Sequence, residues 1–410
     1  MSEALLNNPD DPNNRWRRAT PGHDGWPHTA VPGAANKFFI VSADAHANEP
    51  RDLWQTRIDR KYADRLPKVS VDENGERWQV VEGFRPVRIR FNNPLQGEDA
   101  TRNLVGADPV QRLLDMDADG IDAEIIFPNK GLSMWATADG EFAQAQCRVW
   151  NEWAWETFGA YNDRMSPMAC LATADLEGSI REIHRVAKLG FRGLTLPAKP
   201  IWGAHDARHA NYNLPVFDPL WAAVEEVGLP ITFHVSTGRD PRASTGSGGA
   251  VINYAVHSLA PTMEPVANLC ASGVLDRFPK IKFATIEAGI GWVAWALTAM
   301  DEAYKKHHMW VQPKLSKLPS EFFHEHGFAS FQEDEPGLRD AQAHGLADNF
   351  MWANDYPHHE GTWPHSAAAI ERTMHFLNDS ERARILGLNA ARLFKFPVPA
   401  HQALSQPATS

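Results

Sequence analysis

From residue 39 onward, short apolar runs alternate with longer segments whose apolar residues recur every three or four positions. Eight runs read as buried strands: 39–44, 121–127, 168–172, 192–196, 231–235, 281–286, 328–332 and 350–354. Each is short, apolar and bounded by turn residues. Between them, EGSIREIHRVAKL (177–189) and FDPLWAAVEEV (217–227) carry helical spacing and stop at Gly190 and Gly228, the residue type that caps a helix C-terminus. Strand and helix in repeated alternation predict an α/β fold, a (β/α)8 TIM barrel with parallel strands.

The rhythm fails in identifiable places. Residues 1–37 are rich in Pro, Asn and Gly without periodicity and read as an irregular N-terminal arm. The barrel is expected over 38–395 and a C-terminal tail over 396–410. Residues 55–110 are polar, contain the hairpin-like turn DENGER, and read as an insertion over one barrel mouth. Segments 197–216 and 236–257 are further long βα loops, the second rich in Gly and Ser. Such loops follow the strand C-termini, where these barrels keep their chemistry.

Composition narrows the function classes. The 410 residues are 43% hydrophobic and 22% charged, the balance of an ordinary globular protein. The net charge of −11 argues against a nucleic-acid partner, because phosphate binding wants a basic surface. No run approaches the roughly 20 apolar residues needed to span a bilayer. The N-terminus has no apolar core of a secretory signal, so a cytoplasmic protein without a membrane partner is expected. The three cysteines, Cys147, Cys170 and Cys270, form no CxxC pair and read as reduced, buried small hydrophobes. Of the 15 tryptophans, Trp150, Trp153 and Trp155 cluster in CRVWNEWAWETF and read as core or subunit-interface packing.

Candidate chemistry sits at the strand ends. The first strand ends in Asp44-Ala45-His46, the fifth contains His234, the sixth is followed by Glu287 and the eighth by Asp355. Parallel strands open toward one face, so these side chains should meet there. Residues i and i+2 of an extended strand point the same way, which lets Asp44 and His46 grip one ion. Each residue alone has a bland reading: a core histidine for His234, a turn carboxylate for Asp355. Their coincidence at successive strand ends points to a divalent metal, and the N and O donors suit Zn, Mn or Fe. Asp355 is the candidate general base, taking a proton from water. Glu287 is a candidate ligand or proton shuttle, and His257 a further candidate ligand. His358 and Arg239 are candidates for substrate contact, Arg239 through a bidentate bond to a carboxylate. Trp363, Trp202 and Phe331 are candidates for an apolar pocket wall.

The words SADAHANEPRDLW, PITFHVSTG, FPKIKFATIEAGIGWV and EDEPGL…FMWANDYPHHEGTWP resemble those of the amidohydrolase superfamily. They are similar to its amidohydrolase-related group, which includes the nonoxidative aromatic acid decarboxylases, over residue 39 to about 395. The resemblance implies a (β/α)8 barrel, a divalent metal at its C-terminal face, and a homo-oligomer, usually a dimer or more. It assigns Asp44 and His46 to the first-strand ligand pair, His234 to the fifth-strand ligand and Asp355 to the eighth-strand carboxylate. Two positions depart from it. Many members carry His-x-His or Glu-x-His on strand one, and the decarboxylases carry a His on strand six where this chain has Glu287. Strand four, GLTL, offers no Lys or Glu to bridge two ions, with Lys199 lying beyond it, so one metal is expected rather than two.

Exchange of a strand-six proton donor for a carboxylate puts hydrolysis first. The leading expectation is a metal-dependent hydrolase of a small cyclic or aromatic molecule, with water activated by the metal and Asp355. The alternatives are a nonoxidative decarboxylase of an aromatic acid, a non-heme iron oxygenase using the oxygen-rich donor set, and a barrel that binds metal without catalysis.

Overall fold

The computed structural model describes residues 38–84, 86–89, 105–200, 211–238, 244–307 and 314–400. The N-terminal arm, Trp202, Arg239 and the last ten residues lie outside them. Eight parallel strands form among the described residues: β1 (Val41–Ser42, resuming at His46–Ala47), β2 (Ala123–Pro128), β3 (Met165–Pro167, resuming at Ala169–Cys170), β4 (Leu194–Leu196), β5 (Ile231–His234), β6 (Phe283–Ile286), β7 (Gly327–Phe331) and β8 (Phe350–Trp352). Neighbours pair in chain order, with Val41 beside Ala123, Glu124 beside Met165, Leu194 beside both Ala169 and Ile231, Phe283 beside Gly327, and Ala329 beside Phe350. The ring closes where the Ala43 amide donates to the Trp352 carbonyl at 3.0 Å and the Asp355 amide to Asp44 at 3.1 Å. Each of the eight expected runs holds a strand. The barrel is the one the alternation predicts.

The intervening helices obey their end signals. Leu176–Leu189 stops at Gly190 and Asp218–Val227 at Gly228, both glycines being left-handed with φ of 107° and 63°. Four N-caps are carboxylates accepting a backbone amide: Asp108, Asp139, Asp175 and Asp334. Trp150 and Trp153 are buried with ring centroids 5.4 Å apart, so they pack the core, while Trp155 stacks on Phe191. All three cysteines are free and buried. No described helix is long and apolar enough to cross a membrane.

The insertion contains a three-stranded antiparallel sheet (Lys68–Val71, Arg77–Val80, Val87–Arg88), with the expected turn between its first two strands. Inside the barrel, Val41, Ala43, Ala123, Ile125, Phe127, Ala284 and Ile286 form one apolar cluster. The closing helix Asn389–Phe394 joins it with Leu393 and Phe394, and Phe396 and the partly buried Val398 pack there too, so the packed chain runs into the expected tail. Gly387, just before that helix, allows the approach: a Cβ there would lie 1.8 Å from the Phe39 carbonyl oxygen. With apolar side chains filling the interior at one end, the buried polar side chains Asp44, His46, His234 and Asp355 gather at the other.

Candidate metal centre

At the strand C-termini the side chains converge as the sequence predicts. His234 Nε2 lies 3.4 Å from Asp44 Oδ1, 3.3 Å from Glu287 Oε2 and 3.3 Å from His46 Nε2. His46 Nε2 lies 3.5 Å from Asp44, 3.7 Å from Glu287 and 3.4 Å from Asp355 Oδ1. Two overlapping groups result: Asp44, His46, His234 and Glu287, and His46, Glu287, Asp355 and His358, each with ligand atoms within 4.8 Å of one another. They share His46 and Glu287 and form one centre.

Local backbone explains how two of these carboxylates get there. Ala284 and Ile286 point inward in β6, so strict alternation would turn residue 287 away. Glu287 instead takes a left-handed backbone, φ 58°, which breaks the alternation and brings its carboxylate back to the histidines. Its amide is anchored by Ser330 Oγ of β7 at 3.0 Å, and Asp334 accepts the amides of Ile290 and Gly291 just beyond. Asp355 is left-handed as well, at φ 53°. Such a backbone costs a non-glycine residue of order 1 kcal/mol, and it is concentrated at functional sites. In β1 the pairing is interrupted between Ser42 and His46, and Asp44 sits in the gap. The loop after β8 folds back closely enough that a Cβ at Gly361 would meet the Asn354 carbonyl at 2.4 Å.

The surroundings orient the donors. His46 Nδ1 lies 3.0 Å from the Pro128 carbonyl and His234 Nδ1 3.0 Å from that of Val235, so each ring donates there and presents a bare Nε2 to the centre. The ring of Phe127 packs edge-on against His234. His358 stacks on His46 at 4.1 Å, reaches within 2.9 Å of Asp355 Oδ1 with Nδ1, and contacts Asn129 Oδ1 with Nε2. Asn129 is held in turn by Asn48. Beneath lies Arg112, wholly buried, donating to the carbonyls of His46 and Gly106 and paired with Glu124.

Both oxygens of Asp44 and of Asp355 are buried without a hydrogen-bond partner. Three carboxylates crowd two imidazoles in a water-poor space, an arrangement that needs a cation. Burial, with Asp355 and then Asp44 nearby, pushes the Glu287 carboxyl well above its ordinary range; burial and Asp44 do the same to Asp355. Burial drives His46 well below its usual value, helped by His358 and His234. Burial also pulls His234 down, but Asp44 and Glu287 more than reverse it. The donor set fits a divalent ion. Burial raises the proton affinity of Glu287 within that set, so metal and protons compete there. Titration calorimetry of metal-free protein with manganese(II) is therefore expected to show proton release, with heats that differ between buffers of different ionisation enthalpy. Affinity should rise with pH from the ordinary carboxylate range, about pH 4, toward neutrality. Equal heats in both buffers would contradict the competition.

Other candidates lie elsewhere. His257 is buried in a π-helical turn, Ala255–Leu259, and joins neither donor group. Trp363 packs edge-on against Tyr356. Phe331 is buried in the barrel packing, and Lys199 pairs with Glu264 at 3.0 Å. His359 pairs with Glu360 on the loop surface. Arg112, Ser330 and Asn129 were not legible as site residues; no motif marks them, and only their position beneath the donors does.

A sequence model of a family described as amidohydrolase matches residues 43–396. Gamma-resorcylate decarboxylase of Rhizobium sp. (strain MTP-10005) is 25% identical over 299 residues, 69% of this chain and 86% of the relative. Among solved structures, an amidohydrolase of Mycobacterium avium subsp. paratuberculosis K-10 superposes with a TM-score of 0.70 at 18% identity, covering 88% of this chain and 100% of its own. A manganese-bound 5-carboxyvanillate decarboxylase of Novosphingobium aromaticivorans gives 0.63 at 19% identity, covering 87% and 97%.

Proposed function

Because the chain belongs to the amidohydrolase family, as a metal-dependent hydrolase or carboxy-lyase with a divalent metal cofactor, we propose that it decarboxylates an aromatic hydroxy acid without oxidation. This reverses the order expected from sequence, where Glu287 in place of a histidine put hydrolysis first. The similarity to a gamma-resorcylate decarboxylase over 69% of the chain carries the reading. The centre itself supplies a proton carrier, which removes the need for a strand-six histidine.

Asp44, His46, His234 and Glu287 would hold the ion, leaving Asp355, beside His358, to carry a proton. When bound, the cation would supply the positive charge that draws an acidic substrate to the centre. Asp355 delivers a proton to the ring carbon that bears the carboxylate. The bond from that carbon to the carboxylate then breaks, its electron pair returns to the ring, and carbon dioxide leaves. His358, whose side chain is 18% exposed and within 2.9 Å of Asp355, returns the proton from the solvent side. Asn129 and the His46 ring hold His358 in place for this transfer.

Incubation of manganese-loaded enzyme in deuterium oxide with 2,6-dihydroxybenzoate, 5-carboxyvanillate and related hydroxy acids is the test. Carbon dioxide should appear in step with one deuterium at the vacated carbon. Turnover of amides, esters or lactones, with no carbon dioxide from any acid, would restore hydrolysis.

A further inference from the structure

The opposite end of the barrel holds a second feature that the chemistry above does not use. A hollow of about 430 Å³ opens there, floored by Phe328 and Leu393 and walled by the segments that lead into β5, β6 and β8. Four cations line it: Lys280 and Lys282 just before β6, and Arg392 and Lys395 from the closing helix and its cap.

Two carboxylates, Glu325 and Asp348, line the hollow as well, and each is paired with a cation outside it. Glu325 is engaged by Lys317, and Asp348 lies 3.1 Å from Arg384. The four lining cations instead spend single donors on neutral backbone carbonyls or on none. Lys282 Nζ donates to the Glu325 carbonyl at 2.7 Å, Arg392 Nη2 to that of Asp348 at 2.8 Å, and Lys395 Nζ to that of Gly228 at 3.1 Å. These bonds hold the long side chains in place. They leave two donors on each lysine and most of the arginine fork available. The Arg392 guanidinium lies 5.6 Å over the Phe328 ring, which fixes its plane against the floor. Lys282, half-buried, is depressed by burial first and by Arg392 and Lys317 beyond the help of Glu325. A multivalent anion would relieve that repulsion.

We propose that this hollow is a second ligand site, taking a small multivalent oxyanion of phosphate or dicarboxylate type between Lys280, Lys282, Arg392 and Lys395. An anion there ties the segment entering β6 to the closing helix, so it stabilises the barrel's filled end. It stands apart from the metal centre, at the other ends of the strands.

Holoenzyme is titrated with inorganic phosphate and, separately, with succinate, each against chloride at equal ionic strength, by calorimetry and by thermal midpoint. One-to-one saturable binding and a midpoint above that in chloride are expected for at least one anion, and the pair of titrations tells phosphate from dicarboxylate recognition. Lys280→Gln with Lys395→Gln, both exposed, should weaken binding about tenfold or more, the loss of charge-assisted bonds worth over 1.4 kcal/mol. Lys282→Gln with Arg392→Gln should do the same, and turnover without added anion should be unchanged in the first pair. Heats no different from chloride, or binding that survives both pairs, would overturn the proposal. Binding lost on metal removal but kept in both pairs would place the anion at the metal centre instead.

Discussion

Asp355→Asn is expected to lower kcat by roughly 10²–10⁴-fold, the range for loss of a positioned proton-transfer group. The two carboxylate oxygens of Asp355 are buried without hydrogen-bond partners, and His358 reaches within 2.9 Å of one of them. An amide keeps the volume and one acceptor oxygen, but it cannot carry the proton. The fold should survive, because Asp355 sits at φ 53° and asparagine is among the residues that tolerate this backbone best. Activity and metal content are measured together. A fall in kcat at retained metal supports the proton-carrier role, whereas activity within tenfold of the parent would refute it.

Arg112→Met is expected to cost about 3–5 kcal/mol of stability, the usual penalty for removing one member of a buried ion pair. Arg112 is wholly buried and joins the Asp108-capped helix to β1 and β2 through the His46 carbonyl at 2.7 Å, the Gly106 carbonyl at 2.9 Å and Glu124. Its guanidinium also lies 4.6 Å from the centre of the Tyr356 ring, next to Asp355 in the chain. Burial already raises the Glu124 carboxyl, with Arg112 as the main opposing influence. Without Arg112 that carboxyl must take up a proton or unfold its surroundings. Pairing Arg112→Met with Glu124→Leu should recover most of the loss, since the stranded charge is then gone. Urea midpoints of the metal-loaded parent, single variant and double variant decide it. A single-variant loss below 1 kcal/mol would show that the pair contributes little.

On β6 the hydrophobic pattern and the fold disagree about direction. The pattern predicts the strand Phe283–Ile286, and its charge marks Glu287 just beyond it. What alternation could not deliver was its direction, because the pattern that puts Ala284 and Ile286 inside puts residue 287 outside. The left-handed turn at Glu287, held by Ser330 and Asp334, is what aims the carboxylate. A carboxylate in place of a histidine reads from sequence as the loss of a proton donor, yet burial among other carboxylates raises the proton affinity of both Glu287 and Asp355. His257 illustrates the opposite case. A histidine in a helical run after β5 carries no local sign of whether it faces the centre, and neither donor group includes it.

The sequence alone determined the strand count, the parallel order, the helix stops at Gly190 and Gly228, and the position of Asp44, His46, His234 and Asp355 at strand ends. These are local properties, readable from spacing and from the short-range preferences of the backbone. Closure of the ring decided the rest. It set the 3.3 Å approach of His46 to His234, residues 188 positions apart. It also set the support of His46 by Arg112 and the reversed direction of Glu287. Those contacts depend on where eight strands stand relative to one another, and no stretch of chain records that by itself.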